Sequence, residues 1–342
     1  MSEIVVVRDM GGLGDIVRIL GVAEALVRRG DDVTFCCDKT YVDACELCPS
    51  VANGSLKLIP WDIRSVRGSL GPLARTWGQL QHLPYVVGPF SMDTRVADMW
   101  CPALMHEVAT GGRPSLSRTR CWAAAAGVDN MPPGSVRAEV PARFVPDAMA
   151  WRRSIGRHRP VVAISPASNA SIRTWRNGVS STGRTGAVGG LVAELRKRGI
   201  GTVAFSSDPL DVIADSVSVH ADVRVQAARI AQCDCFVGPD SGMLNLACAL
   251  GVATVGLFGP THARLVLECY DNVQVNLSGK WDPSITKTIG CERPCYGLVE
   301  GGYNTTKCRG RCAVLEGVAE SRVADAIEGL VSRRTSLVRG RR

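Results

Sequence analysis

The chain has 342 residues, 46% hydrophobic and 21% charged, enough core material for two domains of ordinary size and too apolar for a disordered or fibrous chain. Its 40 lysines and arginines exceed the 32 acidic residues, and the resulting charge of +8 favours anionic partners without choosing among nucleotide, nucleic acid and membrane surface. No apolar run reaches the roughly 18 residues of a spanning helix, and Met1-Ser2-Glu3 places no basic region before Ile4–Val7. The expected location is therefore cytoplasmic, with peripheral contact at the inner face of a membrane left open. Fourteen cysteines do not change this, because a chain of this size needs no disulfide scaffold.

Ile4–Val7 is a short β-branched run that ends in Arg8-Asp9-Met10-Gly11-Gly12-Leu13-Gly14-Asp15, and Ile16–Arg28 then carries apolar residues at helical spacing. Gly30 closes that helix and Asp31–Cys37 starts a second strand, which makes a first parallel βαβ unit. Leu56–Ile59 and Tyr85–Val87 read as further strands and Met99–Ala109 as a helix. Between Pro141 and Pro160 the apolar periodicity is lost, which marks a linker. Val161–Ile164 opens the second half, followed by a helix at Leu191–Arg198 closed by Gly199 and a strand at Gly201–Phe205. Val225–Ala231 reads as a helix, Cys235–Val237 as a strand, Leu244–Leu250 as a helix and Ala253–Phe258 as a buried strand. A last helix is expected over Val314–Leu330, and Arg333, Arg334, Arg339, Arg341 and Arg342 read as a frayed, solubilising tail. The predicted fold is α/β, with residues 1–150 and 160–330 as two similar domains facing a cleft and 331–342 as a basic tail. Residues 177–186, polar and glycine-containing, form a surface insertion or a lid beside the cleft opening.

Gly11, Gly12 and Gly14 lie between a strand end and a helix start, where the absence of Cβ permits close backbone approach to a ligand. The spacing is not GxGxxG, so a purely structural turn is the competing reading. Asp15 follows at the helix start, where a carboxylate is stabilised in its charged form; it either deprotonates a bound hydroxyl or caps the helix. The second loop, Val237-Gly238-Pro239-Asp240-Ser241-Gly242, leaves a strand and enters a helix that Asp240 or Ser241 can cap. Backbone amides of Ser241, Gly242 and Met243, with the Ser241 hydroxyl, would suit a diphosphate. Asp240 would hold the loop or accept a ribose hydroxyl. A third loop, Phe258-Gly259-Pro260-Thr261-His262, would wall the same pocket at the carboxyl ends of the strands. His262 reads as an exposed polar residue rather than a catalyst. Arg173, after Pro166-Ala167-Ser168-Asn169, is either a solvated arginine or a clamp for a leaving diphosphate. Trp175 packs that loop or stacks on a base.

These residues resemble the glycosyltransferases related to ADP-heptose:lipopolysaccharide heptosyltransferase, glycosyltransferase family 9. The resemblance rests on Val5-Val6-Val7-Arg8 through Gly12-Leu13-Gly14-Asp15, on Phe236 through Gly251, and on Val255-Gly256-Leu257-Phe258-Gly259-Pro260-Thr261. It implies a GT-B fold of two Rossmann-like domains, the first binding the acceptor and the second the nucleotide sugar. It also implies inverting transfer from a nucleoside-diphosphate sugar, ADP-heptose by resemblance, to an acceptor hydroxyl. Asp15 takes the family's general-base position, Arg173-Thr174-Trp175 aligns with its Lys-x-Trp segment, and Ser168 and Asn169 fall where phosphate contacts lie. Gly12, Gly14, Asp240, Ser241, Gly242 and Thr261 complete the implied binding set, with Asp208 at a ribose-binding position. No divalent metal is expected for the transfer itself. Two departures stand out: Asn245 occupies a position where the family usually has histidine, and Arg176 replaces the proline after the Lys-x-Trp segment. Transfer of another sugar to a protein, natural product or modified nucleic-acid base therefore stays open, as does a catalytically inactive nucleotide-sugar-binding protein.

Cys291-x3-Cys295 and Cys308-x3-Cys312 put four soft ligands in one short segment. A structural zinc or iron site, buried unliganded thiols and disulfides are the three readings. Some autotransporter heptosyltransferases in the resembling group carry a four-cysteine iron site, and Pro294-Cys295 with Cys312 matches the commoner family pattern. A metal held there would staple the loop ahead of the last helix.

Overall fold

The computed structural model describes residues 3–8, 12–61, 95–98, 115–156, 160–165, 175, 187–205, 214–218, 222–279 and 312–339. In the first half, β1 (Glu3–Arg8), α1 (Leu13–Arg29), β2 (Asp32–Asp38), α2 (Val42–Cys45), α3 (Pro49–Ala52), β3 (Leu56–Trp61) and β4 (Arg95–Asp98) build a parallel sheet in the order β3-β2-β1-β4. Ile4, Val5 and Val6 are all buried, as expected of a central parallel strand covered on both faces. On α1 the residues Ile16, Ile19, Leu20, Val22, Ala23 and Leu26 pack inward, and Gly30, at φ 98°, ends the helix in the left-handed conformation that glycine adopts without penalty.

After α4 (Arg118–Ala125) and α5 (Val145–Ile155), the second half runs β5 (Val161–Ile164), α6 (Ala187–Lys197), β6 (Gly201–Ala204), β7 (Ser216–Val217), α7 (Val223–Ala231), β8 (Cys235–Pro239), α8 (Gly242–Ala249), β9 (Thr254–Phe258), α9 (Ala263–Leu267) and β10 (Gln274–Ser278). It closes with α10 (Ala313–Glu316) and α11 (Glu320–Arg339). Its sheet is also parallel, in the order β10-β9-β8-β5-β6-β7. Chain order reverses between β5 and β8, so a crevice opens beyond their carboxyl ends, where Ser165 and the Gly238–Asp240 turn lie. The architecture is the expected one: two Rossmann-like α/β units of the GT-B fold.

Four local expectations change. The segment expected as a linker contains α5, whose Pro146 falls in the first turn, where a missing N–H costs nothing; Trp151 on this helix meets Phe205 edge-on, with ring centroids 6.3 Å apart. The last helix is divided at Gly317–Ala319, where the buried Trp175 indole donates to the Val318 carbonyl at 3.3 Å. The arginine-rich end is not frayed from 331 onward, since α11 continues to Arg339 and buries Ile327, Leu330 and Val331 on one stripe. The polar strand β10, missed in the sequence, lies at a sheet edge with only partial burial. Tyr85–Val87, Met99–Ala109 and 177–186 lie outside the described residues.

The two halves are sewn together. Val136 N–H donates to the Cys269 carbonyl at 3.3 Å, Ala138 N–H to Ala249 at 2.9 Å, and Glu139 N–H to Leu47 at 2.7 Å, so one short segment bonds to both. Arg224 at the start of α7 reaches Asp43 at 3.1 Å and Glu46 at 3.0 Å in the first half, and Arg143 shares Glu46. Its partners Asp222 and Glu46 raise the hold on the Arg224 proton despite some desolvation, and Glu46 is correspondingly held below the usual carboxylate range by Arg224 and Arg143, against desolvation.

Gly21 shows how closely the crossing segment is seated. A Cβ there would fall 2.8 Å from Val136 Cγ2 and 3.0 Å from Val136 Cα. Helix propensity alone favours Gly21→Ala by about 1 kcal/mol, but the overpacking costs about 1–3 kcal/mol, so a net loss of stability is expected in urea unfolding. A stabilised Gly21→Ala protein would show that Val136 does not press on α1.

Candidate active site at the facing helix starts

Asp15 lies in the first turn of α1, directly after the loop that leaves β1, and its amide donates to the Gly12 carbonyl at 2.9 Å. Its side chain is 16% exposed, and Oδ1 accepts from Arg18 Nη2 at 2.7 Å. Arg18, one turn further along, also donates from Nε to the Gly14 carbonyl at 3.2 Å and lies over the Trp122 ring. The carboxylate thus sits at a positive helix end beside a guanidinium, both of which favour its ionised form.

Across from it stands the start of α8. Ser241 is the N-cap, in extended backbone conformation, and its hydroxyl accepts from Leu244 N–H at 3.3 Å. Asp240 and Ser241 are both buried. The two helix starts touch: a Cβ on Gly14 would fall 2.9 Å from Asn245 Nδ2, and one on Gly242 would fall 2.8 Å from Leu13 Cβ and 3.2 Å from Gly14 N. Gly14, read as allowing close approach of a ligand, and Gly242, read as an amide donor to it, are therefore also required by helix-to-helix contact.

Asn245 is buried in this seam with both ends of its amide engaged. Nδ2 donates to the Ser241 carbonyl at 2.8 Å, and Oδ1 accepts from the Tyr270 hydroxyl at 2.9 Å. Burial pushes the Tyr270 phenol well above its ordinary range, so it stays a neutral donor. Behind the seam, Gly238 lies so close to the residue after β5 that a Cβ would come within 2.6 Å of the Ser165 carbonyl. Thr261, in the turn after β9, is buried, and its hydroxyl has no hydrogen-bond partner among the described residues. A buried orphan hydroxyl at the carboxyl end of a sheet is a group that a bound ligand can satisfy.

Residues 221–296 match the family model described as "Glycosyltransferase family 9 (heptosyltransferase)". The chain has the GT-B fold, and that segment is similar to family 9. Three solved structures agree with that architecture. A family 9 glycosyl transferase from Veillonella parvula superposes with a TM-score of 0.62 at 14% identity, covering 97% of each chain. The ADP-heptose lps heptosyltransferase II of E. coli gives 0.63 at 14% identity, covering 97% of this chain and 99% of that one. TibC, an iron-containing dodecameric glycosyltransferase of enterotoxigenic E. coli, gives 0.60 at 15% identity, covering 98% and 78%. No curated protein matches the sequence.

The structure brings Gly12, Gly14, Asp15, Asp240, Ser241, Gly242 and Asn245 to one seam, with Thr261 in the next loop. Trp175 packs inward rather than presenting its ring for stacking, and exposed His262 caps α9 by accepting from Arg264 N–H at 3.2 Å. Arg173, Ser168, Asn169 and Asp208 lie outside the described residues, as do Cys291, Cys295 and Cys308. Cys312 is buried behind the β9 loop, where a Cβ on Gly259 would meet its Sγ at 2.7 Å. Among the described residues no three His, Cys, Asp or Glu side chains gather as a metal site. Other cysteines belong to the core: burial pushes Cys36, Cys48 and Cys248 up to about 12.

Arg18 and Tyr270 were missed in the sequence. Arg18 carried a usable signal, since it is the sole charged residue from Ile16 to Ala23. Tyr270 carried none, because its role exists only where the folded second half brings it to Asn245. Removing its hydroxyl by Tyr270→Phe leaves the Asn245 acceptor buried and unpaired, at an expected cost of about 1–3 kcal/mol in chemical denaturation. A loss below about 0.3 kcal/mol would mean that this bond does not hold the seam.

Proposed function

We propose that the chain catalyses an inverting glycosyl transfer in which Asp15 accepts the proton of an acceptor hydroxyl as that oxygen attacks C1 of the donor sugar. The C1–O bond to the nucleoside diphosphate breaks with its electron pair staying on the diphosphate, which leaves from the crevice at the start of α8. Base catalysis at one helix start and electrostatic stabilisation of the leaving group at the other divide the work. The observation that carries this reading is the contact of Leu13 and Gly14, the residues just before Asp15, with Gly242 and Asn245 at the start of α8.

ADP-heptose is the donor we favour, because the segment 221–296 matches a heptosyltransferase family and an ADP-heptose heptosyltransferase shares the fold over nearly its whole length. The Thr261 hydroxyl and the helix-start amides would receive the diphosphate; Arg173, Ser168 and Asn169 would join them, and Asp208 would take the ribose. The basic surface favours an anionic acceptor, with a glycolipid core as the leading version.

Mass-spectrometric screening of the protein against nucleoside-diphosphate sugars identifies the donor, and ADP-heptose is expected to bind ahead of UDP- and GDP-sugars. With the donor fixed, Asp15→Asn is expected to lower transfer by about 100- to 10,000-fold while nucleotide affinity changes by less than about two-fold. Full transfer by Asp15→Asn would remove the carboxylate from the base role. Tight donor binding with no turnover on any acceptor would make the protein a binder.

A further inference from the structure

Arg18 occupies an expensive place. It lies on the inward face of α1 among Ile16, Val17, Ile19 and Leu20, and only 4% of its surface is exposed. A buried guanidinium held only for stability is a poor choice, because an apolar side chain of similar volume fills such a site at least as well. It would also be expected to pair every donor. Arg18 does neither. Nη2 is committed to Asp15 Oδ1 at 2.7 Å and Nε to the Gly14 carbonyl at 3.2 Å, while Nη1 is buried with no hydrogen-bond partner among the described residues. The guanidinium carbon lies over the Trp122 ring, 5.4 Å from its centre.

Among the described residues, the surroundings do not supply another purpose for the charge. From the other elements, the groups that share its field are the Tyr270 phenol and the Cys269 thiol, both pushed up by burial, with Asp240 acting on Tyr270. Glu268 is already paired with Arg120 at 3.0 Å. Among the described residues, the anion in direct contact with Arg18 is Asp15.

We propose that Arg18 is a positioning residue: from beneath the first turn of α1 it holds the Asp15 carboxylate ionised and fixed in one rotamer at the seam. This rests on the reading of Asp15 as the base. Anchoring through Oδ1, with Nε tied back to the Gly14 carbonyl, ties the carboxylate to the helix start itself rather than to a loop.

The test requires no substrate. The full chain is labelled with 13Cγ-aspartate, the Asp15 resonance is assigned by its loss in Asp15→Asn, and its protonation is followed by pH titration. Removing a cation in contact raises a carboxylate midpoint, so Arg18→Met is expected to raise that of Asp15 by at least about one pH unit. Where Arg18→Met does not fold, Arg18→Gln carries the same test. An unchanged midpoint overturns the proposal. The two readings fail separately: loss of transfer in Asp15→Asn with no change of midpoint sinks the role of Arg18 alone. Full transfer by Asp15→Asn sinks the base reading, and with it the catalytic purpose of the pair.

Discussion

The arrangement depends on one steric constraint, the absence of Cβ atoms where α1 and α8 meet. Gly14 and Gly242 let two helix starts approach until Leu13 rests on one backbone and Asn245 on the other. Helix N-termini carry partial positive charge, so bringing two of them together is unfavourable unless negative charge lies between them. Asp15 and Asp240 supply part of it, one on each side. The same geometry makes the seam favourable for a further anion, and in the proposed transfer that would link the packing of two helices to the binding of a diphosphate.

This contact is not the touching of two independent bodies. One buried apolar cluster runs from Val6, Ile16 and Leu20 through Met131 and Val136 to Leu244, Ala247 and Tyr270. Burial of that size is sequence-tolerant but shape-sensitive, because packed interiors leave little room for an added methyl. The polar links then fix the register: the 136–139 segment hydrogen-bonds to both halves, and Arg224 draws α7 onto the acidic side chains of and after α2. The helix starts are held by their surroundings as well as by each other, which is what a carboxylate needs if it is to face a reacting oxygen from a constant position.

Much of the fold was legible because buried parallel strands are written as short apolar runs. Ile4–Val7, Val161–Ile164 and Ala253–Phe258 have no other economical reading, and the glycines at 30 and 199 end their helices as expected. The failures have physical reasons. The helix Val145–Ile155 turns little of its surface inward, with Ala148 its buried residue, so no apolar period marks it. Strand β10 lies at an edge, where polar residues are tolerated on both faces. At the site, sequence identified the glycines but not their partner. A backbone that must approach a phosphate and one that must approach another helix both exclude a side chain, and a pattern in one dimension cannot separate them. Arg18 acts on Asp15 from one turn along the same helix, whereas only the folded chain brings Tyr270 within reach of Asn245.

Asn245 shows what the departure from a family histidine means physically. Its position demands one donor toward the Ser241 carbonyl and one acceptor toward the Tyr270 phenol, at a distance from Gly14 that leaves no spare volume. A primary amide meets both demands while staying neutral. A neutral imidazole could meet them in one tautomer only, and protonation would remove its acceptor and set a second donor against the Tyr270 hydroxyl. With Asn245 committed to the seam, the charge that develops on the departing diphosphate in the proposed transfer has to be met by fixed dipoles and permanent cations rather than by a titrating ring. Helix-start amides and an arginine at position 173 are groups of that kind, and neither changes its protonation state across the physiological range. In the proposed transfer the replacement would not silence the site; the leaving-group half of the chemistry would rest on an electrostatic cradle rather than a proton donor, and the acceptor half on Asp15.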